Sequence, residues 1–182
     1  MTLQTNKILL RPSLIKRLSL IEPQRKEAAS IDACLFLIKN FQESSFKVLS
    51  FASCPFEINL WPLNRWLAKE KRLLLTRIEN DKLVIYEVNS LDDLKLSSFG
   101  IQEPNPVRCK KIETTEDFPL ILVPALGFDD SNHRIGRGKG HYDRLLPYFA
   151  QSVKWGIGFQ EQSCQNLPIE DHDLSLDKVL LF

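Results

Sequence analysis

The segment Leu120-Ile-Leu-Val-Pro-Ala-Leu-Gly-Phe-Asp-Asp-Ser-Asn-His-Arg-Ile-Gly-Arg-Gly-Lys-Gly-His-Tyr-Asp143 decides how this chain is read. It opens on four consecutive apolar residues, as expected of a strand covered on both faces. A polar, glycine-rich loop follows, and from Gly140 onward the pattern predicts a helix. Strand, loop and helix in that order form the joint of a βαβ unit. In such folds ligands bind beyond the carboxyl ends of the strands.

Upstream, the spacing of Leu10, Leu14, Ile15, Leu18 and Ile21 predicts an amphipathic helix with Pro12 in its first turn. Pro23 suits the first position of a second helix, with Ala28, Ile31, Leu35 and Ile38 as its apolar face. Residues 47–53 read as a short buried strand, and Asn59 as the cap of a helix reaching about residue 70. Residues 72–77 and 82–88 are β-rich runs around a turn at Glu79-Asn80-Asp81. The polar stretch 90–117 reads as irregular connection with room for one short element. Downstream, strands are expected at 153–159 and 178–182. The alternation predicts an α/β fold with a mostly parallel sheet, in a single domain over residues 1–182.

Composition sets limits on function. Lys plus Arg number 24 and Asp plus Glu 23 in 182 residues, a formal net charge of +1. That balance argues against a chain built as a whole for nucleic acid or anionic membranes. No apolar run is long enough to span a bilayer. Cys34, Cys54, Cys109 and Cys164 form no CxxC pair or metal-finger spacing, so they read as reduced, mostly buried thiols of a cytoplasmic protein. No acidic residue precedes Glu22, whereas Lys7, Arg11, Lys16 and Arg17 are basic. Organelle transit peptides share that bias, but the helical spacing favours the first helix of the folded domain.

The chemistry concentrates in the loop. Gly136, Gly138 and Gly140 are interleaved with Arg137 and Lys139 and flanked by Arg134 and Arg144. Glycines let successive N–H groups turn inward into an anion nest, to which a following helix adds its positive end. Asp143, about one turn into that helix, is placed to hold a magnesium ion bridging phosphate oxygens. The loop matches neither G-x-G-x-x-G nor G-x-x-x-x-G-K-[ST]. Read alone, it is either a phosphate nest or a flexible turn with solvated charges.

Gly127-Phe128-Asp129, Arg134-Ile135-Gly136 and Gly138-Lys139-Gly140-His141-Tyr142-Asp143 closely resemble the 5-formyltetrahydrofolate cyclo-ligase family. Other stretches extend the resemblance over nearly the whole chain. They are the Lys7 and Arg11 pair, Glu57-Ile58, Gly100-Ile101 before Glu103-Pro104, and Leu167-Pro168 through Asp173 to Asp177. His141 stands where the family more often has Tyr, Asn59 where Asp is common, and Thr76 where Pro is common.

The resemblance implies a three-layer α/β domain of the sugar-phosphate isomerase and CoA-transferase-like kind. It implies ATP-dependent ring closure of 5-formyltetrahydrofolate to 5,10-methenyltetrahydrofolate, with Mg2+ as cofactor and ATP as co-substrate. Lys7, Arg11, Arg134, Ile135, Gly136, Arg137, Gly138, Lys139, Gly140, His141 and Tyr142 would bind ATP, Arg137 and Lys139 acting as the catalytic cations. Ala52, Glu57 and residues 137–141 would bind the folate. Asp143 and Asp173 would bind the metal, with Glu170, Asp171 and Asp177 as competing acids. Read without the resemblance, Lys7 and Arg11 fit the wet face of a helix and Glu57 a solvated loop acid. His141 and His172 are read as lining the site at most, and Trp61, Trp66 and Trp155 as core. The expected partners are small molecules, with no nucleic acid and no membrane, acting on a monomer. A sugar-phosphate isomerase-like enzyme on the same fold and, further off, an RNA-binding module are the alternatives.

Overall fold

The structure is a computed structural model that describes residues 3–97, 100–113, 118–170 and 173–182. Helices α1 (Leu3–Ser19) and α2 (Pro23–Phe41) come first, then strand β1 (Val48–Leu49), helix α3 (Trp61–Lys69) and the hairpin β2 (Leu73–Glu79) and β3 (Lys82–Val88). Three short strands follow: β4 (Leu94–Leu96), β5 (Gln102–Pro104) and β6 (Lys110–Ile112). The chain continues through β7 (Leu120–Val123), β8 (Gly127–Asp129), β9 (Arg134–Ile135) and helix α4 (His141–Leu145). It ends with β10 (Val153–Gly158), β11 (Ser163–Cys164) and β12 (Lys178–Leu181).

Among the described residues the main sheet has seven strands in the order β12-β10-β7-β1-β2-β3-β6. β12, β10, β7, β1 and β2 run parallel, while β3 and β6 are antiparallel additions at one edge. The mostly parallel α/β sheet expected from the alternation is therefore present. β1 lies at its centre, and successive strands leave it in opposite directions, β2 to one side and β7 to the other. Such a switch point leaves a crevice at the carboxyl ends of the two diverging strands.

Strand side chains alternate between two cores. Val48, Leu73, Leu75, Leu120 and Leu122 face Leu14, Leu37, Leu63 and Leu67 of α1, α2 and α3. Leu49, Leu74, Ile121 and Val123 face Leu145, Leu146, Phe149 and Phe118 on the opposite side. Two covered faces explain why Leu120–Val123 is apolar throughout rather than alternating. Each fully buried leucine contributes about 1.5–3 kcal/mol.

Several local expectations are corrected. Pro12 sits in the middle of α1, not in its first turn. Tertiary packing of Leu14 and Leu18, both 0% exposed, holds the helix through it. Ile15 is exposed. On α2 the buried stripe is Ala29, Ala33, Cys34, Leu37 and Phe41, while Ala28, Ile31 and Leu35 face out. That helix is apolar on more than one side, so spacing alone did not select the face. The strand expected at 47–53 is confined to Val48–Leu49. The stretch after residue 90 holds three strands, with β4 pairing β5 and β6 joining the sheet edge through β3.

The cap expected of Asn59 is corrected: Leu60 takes the N-cap position of α3, and Asn59, one residue earlier, accepts through Oδ1 from the N–H of Trp61 at 3.0 Å. Asn80 and Asp81, with φ of 47° and 59°, form the two-residue turn that matches the twist of the β2–β3 hairpin. Trp61, Trp66 and Trp155 pack against the core. No described helix is long and apolar enough to cross a membrane.

Candidate functional site

The crevice at the switch point is a cavity of about 700 Å³. Phe51 and Ala52, just beyond β1, and Pro124 and Ala125, just beyond β7, border it. Every residue singled out above for binding ATP, folate or metal lines it: Lys7, Arg11, Ala52, Glu57, the run from Arg134 to Tyr142, Asp143 and Asp173. Asp177 does not line it. Its Oδ2 accepts from the N–H of Lys154 at 2.7 Å, at the start of β10 and away from the carboxyl ends of the strands. Asp171 and His172 lie outside the described residues.

Lys7 and Arg11 are not a wet face. They continue the stripe of Leu14 and Leu18 toward the amino end of α1, so one side of that helix passes from core to cavity. Lys7 is 6% exposed. Its Nζ donates to Glu170 Oε2 at 2.7 Å and to Asp173 Oδ2. Burial alone would lower its pKa, but these two carboxylates hold it above the ordinary lysine value. The Glu170 N–H also donates to Asp173 Oδ2, at 2.7 Å.

Arg11 folds onto the glycine loop, its Nε donating to the Gly136 carbonyl at 3.0 Å. Gly138 has φ of +95°, and a Cβ there would lie 3.2 Å from the Arg11 guanidinium carbon. The loop needs glycine at this position twice over, for the dihedral and for the space. Upstream of the glycines the chain forms a hairpin, β8 with β9, where a continuous loop was expected. Asp129 organises its turn. Its Oδ1 accepts from the N–H groups of Ser131 and His133, and its Oδ2 from the N–H of Leu167.

Arg134 donates to the Leu174 carbonyl at 2.8 Å and to Asp143 Oδ1. The positive helix end expected after Gly140 is corrected. α4 has five residues before the chain tightens into a 3-10 turn at Leu146–Phe149, where Pro147 cannot continue an α-helix. So short a helix carries little macrodipole. Arg144 serves as a buttress rather than a cavity cation, donating to the carbonyls of Lys139 and Asp81, each at 2.9 Å.

Glu57 meets the loop from the other side. Its Oε2 accepts from the Cys54 N–H at 2.9 Å, and its Oε1 from Nη2 and Nε of Arg137 at 3.2 and 3.3 Å. The segment that carries Glu57 is tied down at several points. Asn64 donates to the Phe51 carbonyl, Leu60 N–H to Ser53 Oγ, and Asn59 N–H to Ser30 Oγ. Tyr142 is half-buried in the cavity lining, where burial and the charge of Glu57 raise its pKa. The departures Thr76 and His141 both line the cavity. Thr76 hydrogen-bonds the Tyr142 hydroxyl, and His141 Nε2 lies 3.2 Å from Asp81 Oδ1.

Residues not assigned to the site from the sequence also line it: Ile8, Cys54, Ile78, Asp81, Leu83, Ile101, Glu103 and Glu170. Thr76 and Ile78 share a strand face, a period-two signal that was available. The Glu103-Pro104 pair was noticed as a motif. Nothing in the sequence announced Asp81 or Cys54. Cys54 has a basic neighbour, Arg137, only in space, and burial with Glu57 nearby pushes its thiol up to about 11. All four cysteines are free; Cys34 and Cys109 are buried, Cys54 and Cys164 partly so.

Comparison with known proteins gives a consistent result. The family model described as "5-formyltetrahydrofolate cyclo-ligase family" matches residues 4–181. A 5-formyltetrahydrofolate cyclo-ligase from Mus musculus is 28% identical over 185 residues, covering 94% of this chain and 91% of that protein. The solution structure of Aquifex aeolicus 5,10-methenyltetrahydrofolate synthetase superposes with a TM-score of 0.79 at 32% identity, over 95% of this chain and 88% of that one. A 5,10-methenyltetrahydrofolate synthetase from Mycoplasma pneumoniae shares the fold, with a TM-score of 0.75 at 19% identity over 96% and 97% of the two chains.

Proposed function

The chain belongs to the 5-formyltetrahydrofolate cyclo-ligase family, and on that premise we propose that it converts 5-formyltetrahydrofolate and ATP to 5,10-methenyltetrahydrofolate, ADP and phosphate. The observation that carries the proposal is convergence. Lys7, Glu57, Arg137 and Asp173, far apart in sequence, line one cavity with the glycine loop between them.

In this reading the formyl oxygen attacks the γ-phosphorus and ADP leaves. The folate N10 then attacks the activated formyl carbon and gives up its proton. Departure of phosphate with the C–O electron pair closes the ring as the methenyl cation. No protein nucleophile takes part, so the residues contribute position and charge. Arg137 and Lys139 stabilise the transferring phosphoryl group, and the loop N–H groups and Arg11 cradle the rest of the polyphosphate. Glu57 fixes the Arg137 guanidinium through two N–H donors to one oxygen.

Asp143 and Asp173 suit a magnesium ion. Among the described residues no three His, Cys, Asp or Glu side chains gather into an all-protein cage, and magnesium commonly takes one or two carboxylates with water and phosphate. When bound, it neutralises charge on the phosphate oxygens. The same reading treats residues 1–182 as one domain, acting as a monomer on small molecules in the cytoplasm.

The test is an absorbance assay in the methenyl-folate band. Purified protein, 5-formyltetrahydrofolate and magnesium are mixed with and without ATP, beside Lys139→Ala. An ATP-dependent rise that the variant loses supports the proposal. A flat trace from folded protein that still binds ATP overturns it for this substrate.

A further inference from the structure

Arg144 meets the glycine loop from behind. It does not line the cavity, whereas Lys139, Gly140 and His141 do. Its guanidinium bridges two carbonyls, Nη1 donating to that of Lys139 and Nη2 to that of Asp81, each at 2.9 Å. The Lys139 carbonyl therefore points out of the cavity. In a planar trans peptide the C=O and the following N–H point in opposite directions. The Gly140 N–H consequently points inward, and among the described residues it has no hydrogen-bond partner.

Left to itself, this backbone has another course. φ is +95° at Gly138 and +62° at Gly140 and is negative at Arg137 and Lys139. Such alternation curls N–H groups into a nest. A glycine on each side of Lys139 also makes it cheap to turn the Lys139–Gly140 peptide over. Arg144 is what opposes that turn. A guanidinium is a rigid planar fork, so two carbonyls fix it in one orientation. The second carbonyl belongs to Asp81, at the tip of a hairpin paired in register from Leu73 with Val88 to Glu79 with Lys82. Asp81 Oδ2 lies 3.4 Å from Arg144 Nη2, and Asp81 Oδ1 lies 3.2 Å from His141 Nε2. A firm hairpin tip thus holds Arg144, and Arg144 holds the loop.

We propose that Arg144 is a positioning residue, which keeps the Lys139–Gly140 peptide with its N–H turned into the cavity to receive a phosphate oxygen. This rests on the proposed ATP reaction and adds to it the residue that holds the phosphate loop in its receiving form. The donor belongs to the loop and owes nothing to α4, which has five residues.

The experiment uses the full chain with magnesium, and ATP and inorganic tripolyphosphate as probes. In wild type the Gly140 amide proton, followed by NMR, should move downfield when tripolyphosphate is added. An unmoved resonance overturns the proposal, whether or not any variant folds. Equilibrium binding of both probes and the ATP and folate KM are then compared for wild type, Arg144→Ala and Arg144→Lys. Arg144→Ala should lose the Gly140 shift and weaken both probes roughly tenfold, with the folate KM within about twofold of wild type. Arg144→Lys keeps the charge without the planar fork and should stay within about threefold of the alanine variant. Full affinity in Arg144→Lys means that charge alone suffices, and it overturns the proposal. So does unchanged binding in Arg144→Ala, or a folate KM raised by the same factor as the ATP KM. If tripolyphosphate binds with this dependence on Arg144 but 5-formyltetrahydrofolate is never turned over, the reaction proposal fails and the positioning role stands.

Discussion

Arg137 donates from both Nη2 and Nε to a single oxygen of Glu57, at 3.2 and 3.3 Å, and so joins the glycine loop to the segment after β1 across the cavity. The Glu57 carboxylate is nearly buried, and the Arg137 guanidinium is partly open to solvent. In the proposed reaction the pair ties the phosphoryl-binding loop to the folate side. Arg137→Ala is expected to lower kcat by roughly 10²-fold, as for other lost transition-state donors. Glu57→Gln should lower it less, and the two losses should not add. A double-mutant cycle on kcat/KM measures the coupling; strictly additive losses contradict the link.

Gly138→Ala tests the loop without removing a charge. The left-handed dihedral costs a non-glycine residue about 1–2 kcal/mol, and the new methyl meets Arg11 at 3.2 Å. The expected outcome is a raised ATP KM, on the order of tenfold, with a melting temperature lowered by only a few degrees. Unchanged ATP kinetics means that the loop opens elsewhere.

Asp129 gives an acid-stability prediction. Burial opposes its charge, but the His133 N–H, the His133 ring and the Leu167 N–H hold its carboxyl below the ordinary value of 3.8. A depressed folded-state pKa contributes stability that is complete above that ordinary value and lost as pH falls through the folded one. Stability measured by denaturant titration should therefore drop below about pH 4. Asp129→Asn places an amide N–H against one of these donors and should cost about 1–3 kcal/mol at neutral pH. It should also flatten the acid limb. A variant with the wild-type acid limb shows that Asp129 does not set it.

Cys54 lines the cavity, yet its thiol is pushed up to about 11. Alkylation at neutral pH should be slow, and the rate should climb through pH 9–10 without a plateau, because thiolate is the reacting form. Mass spectrometry of iodoacetamide-treated protein reads the rate at each pH. A plateau near the ordinary thiol value of 9.0 contradicts the depicted environment.

The sequence alone determined the elements whose signals are local. Leu120–Val123 announced a doubly covered strand because a strand with helices on both faces has no polar side to show. Glu79-Asn80-Asp81 announced a turn between two β-rich runs, which the structure narrows to Asn80 and Asp81, both at positive φ. The glycine loop announced itself by composition, and the spaced motifs carried Lys7, Glu57 and Asp173 to the family. Only the tertiary structure decided the rest. α2 has apolar residues on several sides, and the sheet it meets selects Ala29, Ala33 and Leu37 over Ala28, Ile31 and Leu35. Lys7 and Arg11 were equally plausible in water until α1 was laid across the end of the sheet. The links between Arg137 and Glu57, and between His141 and Asp81, span gaps of 80 and 60 residues. Local chain preferences say nothing about contacts at that separation. They form because two strands diverge from β1 and leave a crevice into which distant loops must fall.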